Sequence, residues 1–278
     1  VHRTPGAYAV GSTSDWDQGR ALGAALAAEC AGFGFHLDFA PVLDVWSNPD
    51  NTVIGKRAFG SDWKVVSGFG AAVSNALQAA GVIPVVKHFP GHGDTVVDSH
   101  MGLPVVDKSL EDLSLQELPP FRDLISGGET PSGRAEAVPA VMVAHILMTQ
   151  LDPDLPASLS PAVVTDLLRG ELGFGGVVFT DDLTMGAITQ NYGLGEAAVL
   201  AVEAGCDMLL VCHGRDSVDA ARSALLEAAA SGRISQARLD ESVRRILSLK
   251  LEYSVSGEPV SAPDLNALNA LVDAVAAQ

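Results

Sequence analysis

The stretch KHFPGHGDTVVDSH, from Lys87 to His100, concentrates side chains that take or give protons: three histidines, two aspartates and one lysine. Lys87 and His88 end an apolar run that is typical of a strand, and the proline and glycines after them predict a bent loop. Asp98 and His100 are two positions apart, so on an extended segment both side chains point the same way. A carboxylate beside an imidazole fixes its tautomer and raises its basicity, which predicts a general acid/base.

The elements that must position these groups are short apolar runs alternating with helical patterns. Predicted strands lie at 34–45, 81–89, 137–145, 175–182 and 205–212. Each run is nearly continuous rather than alternating, as expected for parallel strands covered on both faces. Predicted helices lie at 17–32, 63–80, 110–126, 161–172, 195–204, 217–231, 235–251 and 265–277. This alternation predicts the α/β class.

Polar residues stand directly after the predicted strands: Asp44, Lys87, His88, His145, Asp181, Asp182 and His213. In a β/α barrel the active site is built at the carboxyl ends of all the strands, whereas a doubly wound sheet binds its ligand at one crevice. No Gly-rich nucleotide motif follows the first strand. The sequence therefore predicts a (β/α)8 TIM-barrel type in a single domain over residues 1–278, apparently without the first about three strand–helix units.

The charge and composition of the chain limit the classes of partner that it is expected to bind. The chain has 17 basic and 34 acidic residues, a net charge of −17, which opposes binding to nucleic acid or an anionic membrane. No apolar run approaches the length of a membrane span, and VHRTPGAYAV lacks the pattern of a signal peptide. Cys30, Cys206 and Cys212 are interpreted as buried reduced thiols, which suits a cytoplasmic location. We expect a monomer that binds a small molecule.

The histidine-rich motif has a family counterpart. KHFPGHG followed by DSH resembles the signature of the β-N-acetylglucosaminidase branch of family 3 glycoside hydrolases. Further similar segments are DFAPVLDV (38–45), IGKRAFG (54–60), FTDDLTM (179–185) and CDMLLVC (206–212). The resemblance implies a β/α barrel that removes terminal N-acetylglucosamine from cell-wall muropeptides, as in peptidoglycan recycling, or from chitooligosaccharides. It implies a retaining mechanism and no cofactor.

The resemblance also assigns roles to residues. Asp181 matches the family's nucleophile, His100 its general acid/base and Asp98 the partner of that histidine. Residues that match the sugar-binding set are Arg3, Arg57, Lys87 and His88. Arg3 corresponds to the arginine that closes the family motif D-Q-E-G-G-R-V-x-R, and the chain begins at the final V-x-R. Relative to the family, the chain is therefore expected to be incomplete at its N-terminal side.

Retaining chemistry requires a nucleophile and an acid about 5 Å apart on opposite sides of the scissile bond. Asp181 follows a strand, and a histidine has an ordinary pKa of about 6.5, which suits proton transfer near neutral pH. A histidine in place of a second carboxylate leaves the site less negative, so a phosphorylase that uses phosphate as acceptor is an alternative. Gly91 and Gly93 are expected to let the loop close, so that replacing either by Ala slows turnover more than it destabilises the fold.

Two other classes of function compete with a glycosidase. A metal-dependent hydrolase would use His88, His92, Asp94, Asp98 and His100 as zinc ligands, but these crowd one loop instead of coming from several strands. We therefore predict no metal. A non-catalytic sugar-binding barrel would have no use for Asp181 or for the pair of Asp98 and His100.

Several polar residues also have purely structural interpretations. Asp182 is predicted to be the N-cap of the next helix, and Asp44 to fix loops through hydrogen bonds. His145 and His213 either line the pocket or bind backbone carbonyls. Arg57, considered without the family resemblance, is expected to form a surface ion pair.

Overall fold

A computed structural model describes residues 1–95, 99 and 102–276 of the chain. At its centre lies a parallel sheet of five strands: β1 (Leu37–Asp38), β2 (Ile83–Phe89), β3 (Ala140–Val143), β4 (Val177–Asp182) and β5 (Met208–Leu210). All five predicted strands are present. Their spatial order follows their order in the chain, so there is no reversal of the kind that defines a doubly wound sheet.

The helices connect the strands as β/α units. They are α1 (Ala7–Gly11), α2 (Trp16–Gly32), α3 (Trp63–Ala79), α4 (Leu110–Gln116), α5 (Leu118–Ser126), a π-helix (Ala162–Glu171), α6 (Gly186–Thr189), α7 (Leu194–Ala204), α8 (Arg215–Ser231), α9 (Gln236–Glu252) and α10 (Leu265–Ala276). The predicted TIM-barrel-type α/β fold is confirmed. Strands β1 and β5 form the two edges of the sheet, which does not close on itself within the residues that the structure describes.

The side chains on the two faces of the sheet belong to two different hydrophobic cores. Outward-facing valines such as Val86, Val141 and Val178 belong to the larger core beneath the surrounding helices. The inner face carries a second core that includes Val85, Met142 and Phe179, joined by Leu249 of α9. This separation follows from the alternation of side chains along a strand, which sends neighbouring residues to opposite faces.

Helix α9 runs across the end of the sheet opposite to the carboxyl ends of the strands. Arg245 of α9 reaches Asp207, which directly precedes β5, at 3.2 Å, and Arg169 of the π-helix binds the same carboxylate at 2.6 Å. The side chain of Asp207 is fully buried, so these arginines supply the charge partners that a buried carboxylate needs. Beyond α9, the Tyr253 hydroxyl donates to Gln78 at the end of α3 at 3.1 Å.

Local sequence signals explain where most helices begin and end. Asp62 accepts a hydrogen bond from the Lys64 N–H and caps α3, and Ser235 caps α9 in the same way. Gly205 ends α7 in the left-handed region with a φ of 117°, which a glycine adopts without steric cost.

Three local predictions are corrected. The predicted helix 110–126 is two helices, α4 and α5, because Pro119 and Pro120 are tolerated only in the first turn of a new helix. The segment 161–172 forms a helix, but of π type. No strand was predicted between α5 and β3, but Glu129–Thr130 and Gly133–Arg134 form a small antiparallel pair there. In the part of the chain that the structure describes, no helix combines the length and apolar character that crossing a membrane requires.

Candidate active site

A pocket of about 250 Å³ opens at the carboxyl ends of the strands. Its described walls are polar residues Arg57, Lys87, His88, His92, Ser99, Asp181, Asp182 and Cys212, with apolar residues Phe39, Val53, Ile54, Met142, Met185 and Leu210. Parallel strands end at one edge of a sheet, so side chains from distant parts of the sequence meet there. The prediction that the strand ends converge on one site is confirmed for Lys87, His88 and Asp181.

Asp181 is the proposed nucleophile and lies near the end of β4. It follows Phe179 by two residues on the inner side of the strand, and its Oδ1 accepts a hydrogen bond from the Asp182 N–H at 2.8 Å. Burial on its own would raise the pKa of this carboxyl. Interaction with His88 and His145 outweighs burial and lowers the pKa, and Lys87 adds to the lowering. The carboxylate is therefore ionised at neutral pH, as a nucleophile must be.

Lys87 and Arg57 bring positive charge to the same pocket. Burial and repulsion from Arg57 lower the pKa of Lys87, while attraction to Asp181 opposes them. Arg57 ends a short 3-10 helix, is exposed and donates to the Val53 carbonyl at 3.3 Å. Arg57 lines the pocket, and none of the described carboxylates forms the surface ion pair with it that was expected without the resemblance.

His88 is oriented by the carboxylate of Asp44, which is completely buried. Asp44 Oδ2 lies 2.7 Å from His88 Nδ1, and Asp44 Oδ1 accepts from the His92 N–H at 2.7 Å. Burial would raise the pKa of Asp44, but interactions with His88 and His92 lower it. An ionised carboxylate can only accept, so His88 Nδ1 carries a proton and Nε2 remains for a ligand. The predicted loop-fixing role of Asp44 is confirmed.

His145 is hydrogen-bonded to the main chain at the end of β4. Its Nδ1 lies 2.7 Å from Ser158 Oγ and its Nε2 3.0 Å from the Asp182 carbonyl, which makes Nε2 the donor. Burial lowers the pKa of His145, so the ring is neutral at neutral pH. Of the two alternatives for this residue, the structure shows the backbone-binding one. His213 is exposed and lies 3.6 Å from the Asp182 carboxylate, outside the described lining of the pocket.

The prediction that Asp182 caps the next helix is wrong. Helix α6 begins at Gly186 with Met185 as its N-cap. The Asp182 carboxylate instead accepts from the Thr184 N–H at 3.0 Å and from the Cys212 N–H at 2.9 Å. It therefore joins the loop after β4 to the loop after β5. The physical reason is that two intervening residues form a turn before the helix starts.

Not every predicted site residue is brought to the pocket. Asp98 and His100 lie outside the described residues. Arg3 is exposed and lines a separate depression with Pro5 and Val275, because the preceding His2 pairs with Asp273 of α10 at 2.7 Å and directs the start of the chain that way. The structure therefore does not bring Arg3 to the pocket that is lined by Lys87, His88 and Asp181.

The cysteines differ from the expectation that all are buried. Cys206 is buried and Cys30 is half-buried, but Cys212 is exposed and lines the pocket. Burial raises the pKa of the Cys206 thiol to about 12. Cys212 follows β5 by two residues, so its position after the strand, which identified the charged residues, could also have identified it.

The residues proposed as zinc ligands in the alternative hydrolase have other partners where they are described. Asp94 pairs with Lys108 at 2.9 Å, and the two ring nitrogens of His92 lie next to the hydroxyls of Thr95 and Ser99. Within residues 1–95, 99 and 102–276, no group of three or more potential ligands is arranged to hold a metal ion.

Gly91 and Gly93 are required by close packing. A Cβ on Gly93 would lie 1.7 Å from the Val45 carbonyl oxygen, and one on Gly91 would lie 2.8 Å from the Glu117 Cβ. Gly91 also has a φ of 137°, which side chains rarely adopt. Replacing either residue by Ala is therefore expected to destabilise the fold itself, contrary to the expectation that turnover would suffer more than stability.

The apolar part of the pocket was missed by the sequence analysis. Phe39, Met142 and Leu210 line it from three different strand regions. In a strand, an apolar residue indicates a core position, and nothing in its type distinguishes the core from the wall of a pocket. The alternation along each strand was the available signal, since Phe179 and Asp181 share one face.

The comparisons with known proteins agree with this geometry. Residues 2–249 match the glycosyl hydrolase family 3 N terminal domain, and the chain belongs to that family. A Beta-hexosaminidase of Stenotrophomonas maltophilia (strain R551-3) is 40% identical over 188 residues, which is 68% of this chain and 52% of the relative. Beta-hexosaminidase LpqI of Mycobacterium tuberculosis is 38% identical over 252 residues, covering 88% of this chain and 62% of the relative.

A solved structure extends the similarity to nearly the whole chain. The family 3 beta-N-acetylglucosaminidase of Paenibacillus sp. str. FPU-7 superposes with a TM-score of 0.91 and 43% sequence identity, covering 99% of this chain and 52% of that one. The chain thus spans about half of that structure, and 52–62% of the two curated relatives.

Proposed function

We propose that this chain carries the catalytic pocket of a retaining exo-β-N-acetylglucosaminidase. The observation that carries the proposal is Asp181, an ionised carboxylate at the end of β4, in a pocket that also holds Lys87 and His88. The beta-hexosaminidase names of the relatives support the same activity. The pocket volume of about 250 Å³ is small for a ligand site, which favours one terminal sugar over an internal stretch of polysaccharide.

In the proposed reaction, an Asp181 oxygen attacks the anomeric carbon and the bond to the leaving oxygen breaks. His100, protonated and assisted by Asp98, gives its proton to that oxygen. Neutral His100 then takes a proton from water, which attacks the glycosyl–Asp181 ester and releases the sugar with retained configuration. Lys87 and Arg57 bind sugar hydroxyls, and His88 accepts a hydrogen bond from a hydroxyl through Nε2 while Asp44 holds its ring.

The first experiment measures hydrolysis of 4-nitrophenyl β-N-acetylglucosaminide by the wild type and by Asp181→Asn. We expect the variant to lose about a thousandfold or more in kcat, because no covalent intermediate forms without the carboxylate. Asp17→Asn is a matched control, since Asp17 is exposed on α2 and pairs with Arg20. A folded wild type without turnover, or an Asp181→Asn variant with full activity, would reject the proposal.

The retaining mechanism has its own test. A fluorinated N-acetylglucosaminyl fluoride is a suitable probe, because its anomeric fluoride leaves readily while the fluorine on the ring slows hydrolysis of the intermediate. It should add the mass of one such sugar to the protein. Peptide mapping should locate that sugar on Asp181. Mapping to another carboxylate would reassign the nucleophile, while an α-configured first product would reject retention.

The natural substrate and acceptor can be separated in the same assay. We expect release of N-acetylglucosamine from the non-reducing end of muropeptide sugars or of chitooligosaccharides, and comparing the two rates identifies the preferred class. Added phosphate tests the phosphorylase alternative. Formation of N-acetylglucosamine 1-phosphate at the expense of free sugar would assign phosphorolysis, and an unchanged yield of free sugar assigns hydrolysis.

A further inference from the structure

A buried polar network beside the pocket has no part in the proposed chemistry. Its members, which we call the His92 network, are Asn51, His92, Thr95 and Ser99. Each is at most 3% exposed. Buried polar groups cost free energy unless they are hydrogen-bonded, so a network of this kind fixes the relative positions of the segments that it joins.

Asn51 ties the network to the loop between β1 and α3. Its amide Nδ2 donates to the His92 carbonyl at 2.7 Å and to Thr95 Oγ1 at 3.2 Å. Its Oδ1 accepts from the N–H groups of Val53 and Ile54 at 3.0 and 2.9 Å. The NH2 group and the carbonyl oxygen of the Asn51 side chain are thus both hydrogen-bonded, which leaves little freedom for the loop that leads to Arg57.

His92 bridges to both hydroxyl residues of the network. Its Nδ1 lies 2.7 Å from Thr95 Oγ1, and its Nε2 lies 3.2 Å from Ser99 Oγ. Burial lowers the pKa of His92, so the ring is neutral at neutral pH and uses one nitrogen as donor and the other as acceptor. A hydroxyl can take either part, so both bonds are made by the neutral ring.

Ser99 is held from a second direction as well. Its carbonyl accepts a hydrogen bond from the Ala187 N–H of α6 at 2.9 Å, and α6 follows the strand that carries Asp181. In the sequence, Ser99 is the single residue between Asp98 and His100. It also lines the pocket. The bonds of Ser99 therefore relate the main chain at this position to the nucleophile strand.

We propose that His92 is a positioning residue for the proposed acid/base catalysis, and that it acts by fixing Ser99, the residue between Asp98 and His100 in the sequence. The inference rests on the proposed glycosidase function. It requires an effect on proton donation to the leaving group, beyond any effect on stability. Misplacement of a catalytic group by about 1 Å can cost on the order of 100-fold in rate. A neutral side chain that takes no part in the reaction can therefore control the rate through the position of the groups that do.

Two amide variants test the two hydrogen bonds of the His92 ring one at a time. His92→Gln places an amide close to the position of Nε2 and retains a partner for Ser99. His92→Asn places it close to Nδ1, so it retains Thr95 and loses Ser99. Ser99→Ala removes the same bond from the other side. Ser74→Ala is the control for Ser99→Ala, because Ser74 is fully buried in α3 and its hydroxyl has no hydrogen-bond partner among the described residues.

The readout compares aryl N-acetylglucosaminides with good and poor leaving groups. A 2,4-dinitrophenyl group departs without protonation, whereas a phenyl group needs the acid. We expect His92→Asn and Ser99→Ala to lose about 10- to 100-fold in kcat/KM on the phenyl substrate and less than about threefold on the dinitrophenyl one. His92→Gln and Ser74→Ala should stay within about threefold of the wild type on both substrates.

The outcomes distinguish this inference from the function on which it rests. A wild type inactive on both substrates rejects the glycosidase proposal itself. An active wild type whose His92→Asn and Ser99→Ala variants lose equally on both substrates, or on neither, overturns the positioning role. Thermal unfolding of each variant identifies any that fail to fold, and Ser99→Ala, the smallest change, then decides.

Discussion

A single buried carboxylate, Asp44, determines what its neighbour His88 can do. Asp44 accepts from the His88 ring and from the His92 N–H, so it fixes both the ring and the start of the loop after β2. The strand-end position of Asp44 was predictable from the sequence, and so was a loop-fixing role. Its pairing with a residue 44 positions away was not, because spacing in sequence carries no distance information across a sheet.

Replacing Asp44 by Asn tests this orientation. The amide NH2 would face His88 Nδ1, so the ring must either lose the bond or place its proton on Nε2, the nitrogen available to the ligand. We expect kcat/KM on 4-nitrophenyl β-N-acetylglucosaminide to fall about 100-fold. The variant should also lose about 3 kcal/mol of unfolding free energy, because a buried charge-assisted network is broken.

The matched control is Asp62→Asn, which changes an exposed aspartate that caps α3. It should cost no more than about 1 kcal/mol and leave kcat/KM unchanged. If Asp44→Asn lowered stability while kcat/KM stayed at the wild-type value, Asp44 would only stabilise the fold and the orientation argument would fail.

At the scale of elements, buried strands and capped helices were predictable because both leave periodic or terminal signals. The break between α4 and α5 also had a signal, the pair Pro119 and Pro120, which cannot lie inside a continuous helix. The π-helix Ala162–Glu171 had none, since its amphipathic pattern is compatible with an α-helix. The course of α9 across the sheet depends on tertiary partners such as Asp207, which no local pattern reveals.

The loop after β2 is an element defined by close packing, and Gly93 is the position where this is tightest. A Cβ there would meet the carbonyl carbon and oxygen of Val45 at 2.5 and 1.7 Å, and backbone atoms cannot rotate away as a side chain can. We expect Gly93→Ala to lower the unfolding free energy by about 3 kcal/mol in urea titration.

Gly175→Ala provides the comparison, because no atom lies within 4 Å of its added Cβ. That variant should remain within about 0.5 kcal/mol of the wild type. Equal stability of Gly93→Ala and the wild type, with slowed turnover, would restore the earlier view that this glycine acts as a hinge.

At the scale of the whole molecule, the strand order was implied by the alternation of strands and helices, since consecutive β/α units normally place neighbouring strands side by side. The convergence of Lys87, His88 and Asp181 follows from that order. The direction of the chain's first residues does not follow from the strand order. Arg3 could be aligned with a motif, but its position depends on the contact of His2 with α10, which involves residues about as far apart as the chain allows.

The buried histidines predict how the stability of the molecule depends on pH. Burial lowers the pKa of both His92 and His145. Below the ordinary histidine pKa of about 6.5, the unfolded chain therefore binds more protons at these positions than the folded one. Unfolding free energy must then fall as the pH falls from about 7 towards 5, by at most about 1.4 kcal/mol per pH unit for each histidine.

Urea titrations across that range measure the slope. Burial raises the pKa of Asp38 and of Asp123, and these carboxyls change the slope in the opposite direction, so a histidine variant is needed to isolate the contribution of a histidine. His145→Gln is the informative variant, because an amide can still donate to the Asp182 carbonyl without gaining a charge. It should flatten the slope relative to that of the wild type. If His145→Gln kept the slope of the wild type, burial of a neutral His145 ring would contribute nothing to the pH dependence, and this part of the argument would fail.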